Sequence, residues 1–277
     1  MSGLISRPML LRGSAAAAAL FAAGAMAQTV SPPDFSSNGV SWQTANGVEF
    51  QAVEGSPAPV ANDPAHPYVS NAIAARTGGQ PNYRISDLSN PNLKQWAKDV
   101  MKKDNDEVLA GKIGYTPGTS CMPAGVPALM EAGGPFYFVQ APKEVTIIME
   151  GDHQVRHVYL DVPHSAKVKP SWYGESVGHY EGDTLVIDTV GQSTRTFVDN
   201  FRTPHSEKLH VIERWKMIDG GKQLQVHFTV DDPDTFNQPW QATKVFQRRQ
   251  GTLQEEACAE NNSQFAYHVP VAGKPDF

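Results

Sequence analysis

The sequence lacks long apolar runs and blocks of basic residues, and it has little cysteine. No stretch after the first 27 residues approaches the roughly 18 apolar residues that cross a bilayer as a helix, so no integral membrane segment is predicted there. The 277 residues include 23 basic and 29 acidic side chains, a formal net charge of −6, and the basic ones are scattered. Nucleic-acid backbones are bound by clustered Lys and Arg, so no nucleic-acid partner is expected.

The two cysteines, Cys121 and Cys258, lack the CxxC spacing of redox and metal sites. In an exported protein an even pair predicts a disulfide bond. Because the closed loop would be long, chain entropy predicts a contribution of about 4–5 kcal/mol to stability. A metal or redox pair is the alternative.

The start of the chain predicts export. Arg7 and Arg12 flank the beginning of an apolar region that is densest over residues 15–23, and Ala25-Met26-Ala27 has the small-x-small pattern of a cleavage site. Residues 1–27 are therefore predicted to be a signal peptide, with a retained anchor as the alternative. The mature protein is expected in the periplasm or outside the cell.

Proline and glycine interrupt the next part of the chain repeatedly, so residues 28–115 are predicted to form an extended arm with one helix. The helix is predicted over residues 91–110, where apolar residues recur at the spacing of one helical face. These residues are Leu93, Trp96, Ala97, Val100 and Met101. Asn90 and Pro91 form the expected start of the helix, and Gly111 its end.

Residues 116–277 are predicted to form a β-barrel domain. Eight strands are expected from the alternation of apolar and polar residues. They cover residues 136–140, 144–149, 154–161, 174–180, 184–190, 209–218, 222–230 and 241–248, and a weaker ninth covers 253–259. Turns between most of them, without helices, indicate an antiparallel meander. Such a meander removes its open edges by closing into a lipocalin-like barrel of about eight strands, and a sandwich is the runner-up.

Several strings carry a family resemblance. They are CMPAGVP from Cys121, FYFVQAPKEVTIIME from Phe136, SWYGESVGHYEGDTLVIDTVG from Ser171 and TPHSEKLHVIERW from Thr203. Over roughly residues 115–262 the chain resembles a widespread family of exported, uncharacterised bacterial proteins. The resemblance implies export and a β-rich domain, and it implies no particular reaction.

Residues 174–178, Gly-Glu-Ser-Val-Gly, fit the G-x-S-x-G pattern of a hydrolase nucleophile. That pattern works at a sharp turn from a strand into a helix, whereas here it leads into a turn and another strand. We therefore interpret it as a barrel strand in which glycine permits tight coiling.

One loop concentrates acid and base groups. His205, Glu207 and His210 lie close together in sequence and are candidate catalytic residues, and His164 offers a further imidazole from another loop. Imidazole and carboxylate groups suit zinc or copper, so His164, His205 and His210 are also candidate metal ligands. The alternative is that these side chains only satisfy the backbone of a turn.

Glu213 lies on the more apolar face of its predicted strand, together with Val211 and Trp215. A buried carboxylate needs a partner or holds a raised pKa. Glu213 is therefore a further candidate catalytic acid or base. A buried ion pair with an arginine such as Arg156 or Arg195 is the alternative.

Aromatic and imidazole side chains predict a ligand-binding wall. His157 and Tyr159 share one face of a strand, Trp172 and Tyr173 precede the next strand, and Trp215 lies on the face of Glu213 mentioned above. If these side chains point into the barrel, they line a site of the kind that small molecules occupy. Packing as ordinary core residues is the alternative.

Two functions are compatible with these residues. In the first, the exported barrel binds a small apolar or aromatic molecule in its cavity without turnover. In the second, a periplasmic lyase, isomerase or hydrolase uses the His and Glu residues at the barrel mouth, with or without a divalent metal. A structural or interaction protein is a third reading, because the arm offers a surface for a partner. The sequence does not choose between binding and catalysis, and it gives no oligomeric state.

Overall fold

The computed structural model describes most of residues 31–258 in detail. The described residues are Gly3, 271–272 and 31–258, the last without 37–38, 46, 48, 79–82, 132–133, 152–153 and 252–253. The chain divides into two compact units, residues 1–30 and 31–277, and the second is described below. The predicted signal peptide, apart from Gly3, lies outside the described residues.

Strands dominate this unit. In chain order they are β1 (Val40–Thr44), β2 (Gln51–Ala52), β3 (Ile113–Gly114), β4 (Phe136–Ala141), β5 (Glu144–Met149), β6 (Val155–Leu160), β7 (Glu175–Glu181), β8 (Thr184–Val190), β9 (His210–Ile218), β10 (Gln223–Asp231), β11 (Trp240–Gln250) and β12 (Val271–Ala272). The nine strands β1 and β4 to β11 form one sheet, and β1 pairs with both β4 and β11. The sheet is therefore closed into a barrel, which removes most of its open edge. The short strand β2 adds a tenth strand to the same sheet by pairing with β11.

The predicted mainly β, lipocalin-like barrel is confirmed, and all eight predicted strands are present. The ninth barrel strand is β1, which pairs through Trp42 with Phe136 of β4 and through Val40 with Gln250 of β11. It comes from the predicted arm. The weaker candidate at 253–259 does not supply it, since its described residues 254–258 form no strand.

One junction of the barrel differs from the predicted antiparallel meander. Strands β6 and β7 are parallel, and only Val158 to Leu160 are registered against Ser176 to Gly178. Parallel neighbours need a crossover of a dozen or more residues. Residues 161–174 form this crossover, which returns the chain to the end of the barrel where β6 began.

The described residues contain two α-helices, α1 (Asn71–Thr77) and α2 (Gln95–Leu109). The predicted helix at 91–110 corresponds to α2 but begins later. Leu93 instead forms a bridge with Phe236, and the Asn90 side chain accepts the Asn92 backbone N–H at 2.9 Å. Short 3₁₀ helices occupy Pro117–Ser120, Ala128–Glu131 and Asp219–Gly221.

Aromatic rings pack inside the barrel. The ring of Trp215 lies 5.5 Å from Phe138 and 5.7 Å from Phe246, and Phe136 and Phe246 meet edge to face at 4.8 Å. All four side chains are almost fully buried. Each contributes on the order of 1.5–3 kcal/mol by burial, so this part of the interior is a packed core.

The predicted disulfide is confirmed. Cys121 and Cys258 are bonded, with their Cα atoms 5.6 Å apart and 137 positions apart in sequence. Within the described residues, no helix has the length and apolar character needed to cross a membrane.

Candidate functional site

A cleft opens in the barrel wall where the parallel pairing of β6 and β7 stops. Residues of β6 before Val158 have no partner in β7. The chain just before β7 turns away from β6, and its Ser171 forms a bridge with Gln192 instead. The resulting cleft has a volume of about 630 Å³. Its lining residues are Pro123, Gln154, Val155, Arg156, His157, Tyr159, Ser165, Lys167, Lys169, Ser171, Trp172, Tyr173, Gly174, Glu175 and Ser176.

Four of the five predicted ligand-binding residues line this cleft. The rings of His157 and Tyr159 stack with their centroids 6.4 Å apart. The Trp172 ring lies under the Arg195 guanidinium at 4.5 Å, a cation–π arrangement. Tyr173 donates its hydroxyl to the Gln154 side chain at 2.5 Å, and burial raises the pKa of this phenol. The sequence therefore identified the residues of one concave, partly aromatic surface.

The predicted direction of the β6 side chains is wrong. His157 and Tyr159 are exposed on the outside of the barrel, whereas Arg156, Val158 and Leu160 point inward. The fifth predicted ligand residue, Trp215, belongs to the packed interior and does not line the cleft.

The buried Arg156 is stabilised inside the barrel by an ion pair with Glu213. Its Nη1 donates to Glu213 Oε1 at 3.1 Å, and its Nη2 donates to the other oxygen of the same carboxylate. Nη2 also reaches Thr189 Oγ1 at 2.8 Å, and Nε reaches Ser176 Oγ at 3.2 Å. Trp215 donates its indole N–H to Glu213 at 3.2 Å. The low exposure predicted for Glu213 is confirmed, and the alternative of an ion pair with Arg156 is the arrangement found.

Ser176 of the G-x-S-x-G pattern serves the same network. Its hydroxyl bonds Arg156 and lies 2.9 Å from Thr189 Oγ1, so within the described chain it faces no imidazole. Gly174 has φ +66°, and a Cβ there would lie 2.3 Å from the Val190 carbonyl oxygen. The glycine permits close packing of neighbouring strands, as predicted, and the pattern is not a nucleophile elbow.

The residues of the predicted catalytic loop do not come together in one site. His205 is buried, with Nε2 2.8 Å from Thr196 Oγ1 and Nδ1 2.8 Å from the Ser206 carbonyl, and burial lowers its pKa. Glu207 is exposed. The loop is instead organised by Asp232, which accepts the Ser206 backbone N–H at 2.7 Å. His205, Glu207 and Glu213 therefore do not share a site with His210.

His210 takes part in a chain of alternating acids and bases on the outer side of the barrel. His210 Nε2 and His164 Nε2 lie 2.8 and 3.0 Å from the same Asp188 oxygen, and His164 Nδ1 lies 3.1 Å from Glu175 Oε1. We call Glu175, His164, Asp188 and His210 the acid–base chain. Both nitrogens of His164 therefore lie within hydrogen-bond distance of a carboxylate oxygen. The hydrogen bond with Asp188 raises the pKa of His210, and it lowers that of Asp188.

The three predicted metal ligands are only partly brought together. His164 and His210 meet at Asp188, whereas His205 is buried with Thr196. Among the residues described, no three His, Cys, Asp or Glu side chains are arranged to hold a metal ion.

Several residues with perturbed chemistry were not predicted. Burial lowers the pKa of Lys244 to about 8, and burial, reinforced by the charge of Asp199, raises the pKa of Glu131 to about 8. Lys244 donates to the Gly47 carbonyl at 2.8 Å. Its position on the apolar face of β11, where apolar and polar residues alternate, was a signal in the sequence that this lysine is buried. Glu131 ends a short 3₁₀ helix in a segment whose sequence has no regular apolar period, so no pattern indicated its burial.

Two lysines of the cleft, Lys167 and Lys169, were also not predicted. They lie in the crossover, where no regular period assigns a side chain to a face.

A scan against models of known protein families and a search of curated protein sequences both found no match for this chain.

Proposed function

We propose that this is an exported protein that binds a small, partly aromatic molecule in the cleft between β6 and the crossover 161–174. The observation that carries the proposal is the convergence of His157, Tyr159, Trp172 and Tyr173 on one cleft of about 630 Å³. Small-molecule sites are concave, have volumes of roughly 300–1,000 Å³, and combine aromatic surface with a few polar groups.

The cleft is a better site than the barrel interior around Trp215. There, the rings of Phe136, Phe138, Trp215 and Phe246 already contact one another. A ligand at that level would have to displace side chains from close packing, which is costly. The cleft in the wall offers open space beside aromatic rings without that cost.

Export is supported by the signal-like residues 1–27, by the family resemblance and by the bond between Cys121 and Cys258. Disulfide bonds persist in oxidising compartments such as the periplasm. We place the binding activity there or outside the cell.

The alternative of a lyase, isomerase or hydrolase has one observation in its favour. Glu175 lines the cleft and belongs to the acid–base chain, so a carboxylate proton acceptor lies at the edge of the binding surface. The four predicted catalytic residues, His205, Glu207, His210 and Glu213, do not line it. Binding without turnover is therefore the function that the geometry supports better.

The proposal is tested by titrating the mature protein with N-phenyl-1-naphthylamine, a neutral probe that fluoresces when its rings leave water. We expect saturable binding that Trp172→Ala weakens by about tenfold, which corresponds to about 1.4 kcal/mol for one lost aromatic contact. Trp96→Ala is the matched control, because Trp96 is a partly exposed tryptophan of α2 that does not line the cleft.

Circular dichroism spectra of both variants check that they are folded. Equal affinities for the probe in the wild type and in folded Trp172→Ala would contradict binding in the cleft. Equal losses in the two variants would also contradict it.

A further inference from the structure

The charges around the cleft identify the chemical class of its ligand. Lys167 and Lys169 both line the cleft and are exposed. Neither ammonium group forms an ion pair or a hydrogen bond with any residue in the described part of the chain. Two positive charges therefore face the cleft without a protein partner.

The two other basic side chains of the cleft already have acidic partners. Arg156 is paired with the carboxylate of Glu213 inside the barrel. His157 bonds Glu144 through Nδ1. Neither group is left to balance a negative charge on the ligand.

The one carboxylate that lines the cleft is also occupied. Glu175 accepts the Ser165 backbone N–H at 2.7 Å and the Ser165 hydroxyl at 2.5 Å, and His164 lies 3.1 Å away. These bonds hold the pKa of Glu175 below its ordinary value, with the Ser165 hydroxyl as the largest cause. Its charge is directed toward Ser165 and His164, and it does not cancel that of the lysines.

The local excess of positive charge contrasts with the whole protein, whose formal net charge is −6. The acidic surface as a whole repels anions, whereas the positive charge of the cleft attracts them locally. The cleft therefore favours negatively charged ligands. Lysine acts as a mobile point charge and donates to carboxylate, sulfonate or phosphate oxygens without fixed geometry.

We infer that the ligand of the cleft is a small aromatic anion. Its rings contact Trp172 and Tyr159, and its negatively charged oxygen atoms face Lys167 and Lys169. This inference rests on the proposed function, because it assigns a chemical class to the ligand of the same cleft. A neutral aromatic molecule would use the ring contacts and leave the lysines without a partner.

The test compares two probes with nearly the same aromatic rings. 8-Anilino-1-naphthalenesulfonate carries a sulfonate, and N-phenyl-1-naphthylamine is neutral. We expect the double variant Lys167→Gln/Lys169→Gln to bind the sulfonate about five- to tenfold more weakly than the wild type, as two partly screened contacts predict. Its affinity for the neutral probe should stay within about twofold of the wild-type value.

Lys98→Gln/Lys103→Gln is the matched control. It changes the net charge of the protein equally, and both lysines lie on α2 and do not line the cleft, Lys103 exposed and Lys98 half-buried. We expect it to leave the affinity for the sulfonate within about twofold. The inference is also supported if added salt weakens the sulfonate and not the neutral probe, because exposed charges are screened by salt.

The possible failures are distinguishable. An unchanged affinity for the sulfonate in the Lys167/Lys169 variant overturns the inference, as does an equal loss in the control. If the neutral probe still depends on Trp172 in that case, the proposed function stands alone. If neither probe depends on Trp172, both the proposed function and the inference fail.

Discussion

The two sides of the barrel wall formed by β6 to β9 hold similar charged groups, but the inner side is buried and the outer side is partly exposed. On the inner side, Arg156 and Glu213 are 1% and 0% exposed and satisfy each other's charge. On the outer side, the acid–base chain is 22–38% exposed. The residues of both sides lie within one part of the sequence, between residues 156 and 213. Burial, rather than residue type, separates the structural charges from those that respond to the solvent.

The comparison has a simple physical basis. A charge that leaves water loses a large solvation energy, so Glu213 is tolerated inside only because Arg156, Trp215 and nearby hydroxyls replace that solvation. Asp188 on the outer side keeps part of its water. Its bonds with His164 and His210 compete with solvent, and each contributes little.

The largest expected difference between the two sides is in stability. Glu213→Gln removes the partner of a fully buried Arg156, and we expect the free energy of unfolding to fall by about 3–5 kcal/mol. Asp188→Asn is the matched control on the outer side, and its loss should stay below about 1 kcal/mol. Urea unfolding at pH 7, followed by circular dichroism, measures both. Similar losses in the two variants would break the comparison.

A smaller effect is expected when both inner charges are removed together. The double variant Arg156→Met/Glu213→Leu leaves no buried unpaired charge, so its free energy of unfolding should lie within about 2 kcal/mol of the wild-type value. The same urea experiment checks this. A double variant as unstable as Glu213→Gln would mean that the inner residues act through more than charge compensation.

The smallest effect concerns pH on the outer side. His210, whose folded pKa is raised, stabilises the protein fully below its unfolded pKa of about 6.5 and loses this effect as pH rises through the folded value. Asp188, whose folded pKa is lowered, stabilises it above its unfolded pKa of about 3.8 and loses this effect as pH falls through the folded value.

The difference in unfolding free energy between the wild type and Asp188→Asn should therefore be greatest between about pH 4 and pH 6.5, and at most about 1 kcal/mol. Urea titrations from pH 3 to pH 9 measure it. A difference that does not change with pH would contradict the contribution of the Asp188–His210 bond.

Most of the barrel was predictable because each strand contributes a repeated local signal. In β10, Leu224, Val226, Phe228 and Val230 alternate with polar residues, and turns mark the ends. β1 was missed because it is short and lies among prolines and glycines. Its position depends on distant partners, Phe136 and Gln250, that local sequence does not reveal.

Strand direction and side-chain facing were harder to predict. Alternation shows that two faces exist, but it does not say which one is inside when one of them carries Arg156 and the other Tyr159. Only Glu213, far away in sequence, makes the arginine face the buried one. The parallel register of β6 and β7 likewise depends on the path of residues 161–174, which has no periodic pattern.

The location of the ligand is the point to test most directly. The protein has five tryptophans, and labelling with 5-fluorotryptophan gives one ¹⁹F signal for each, assigned by single Trp→Phe variants. On addition of N-phenyl-1-naphthylamine we expect the Trp172 signal to shift in a saturable way while the signal of the buried Trp215 stays in place. A shift of Trp215 with an unchanged Trp172 signal would place the ligand inside the barrel and contradict binding in the wall cleft.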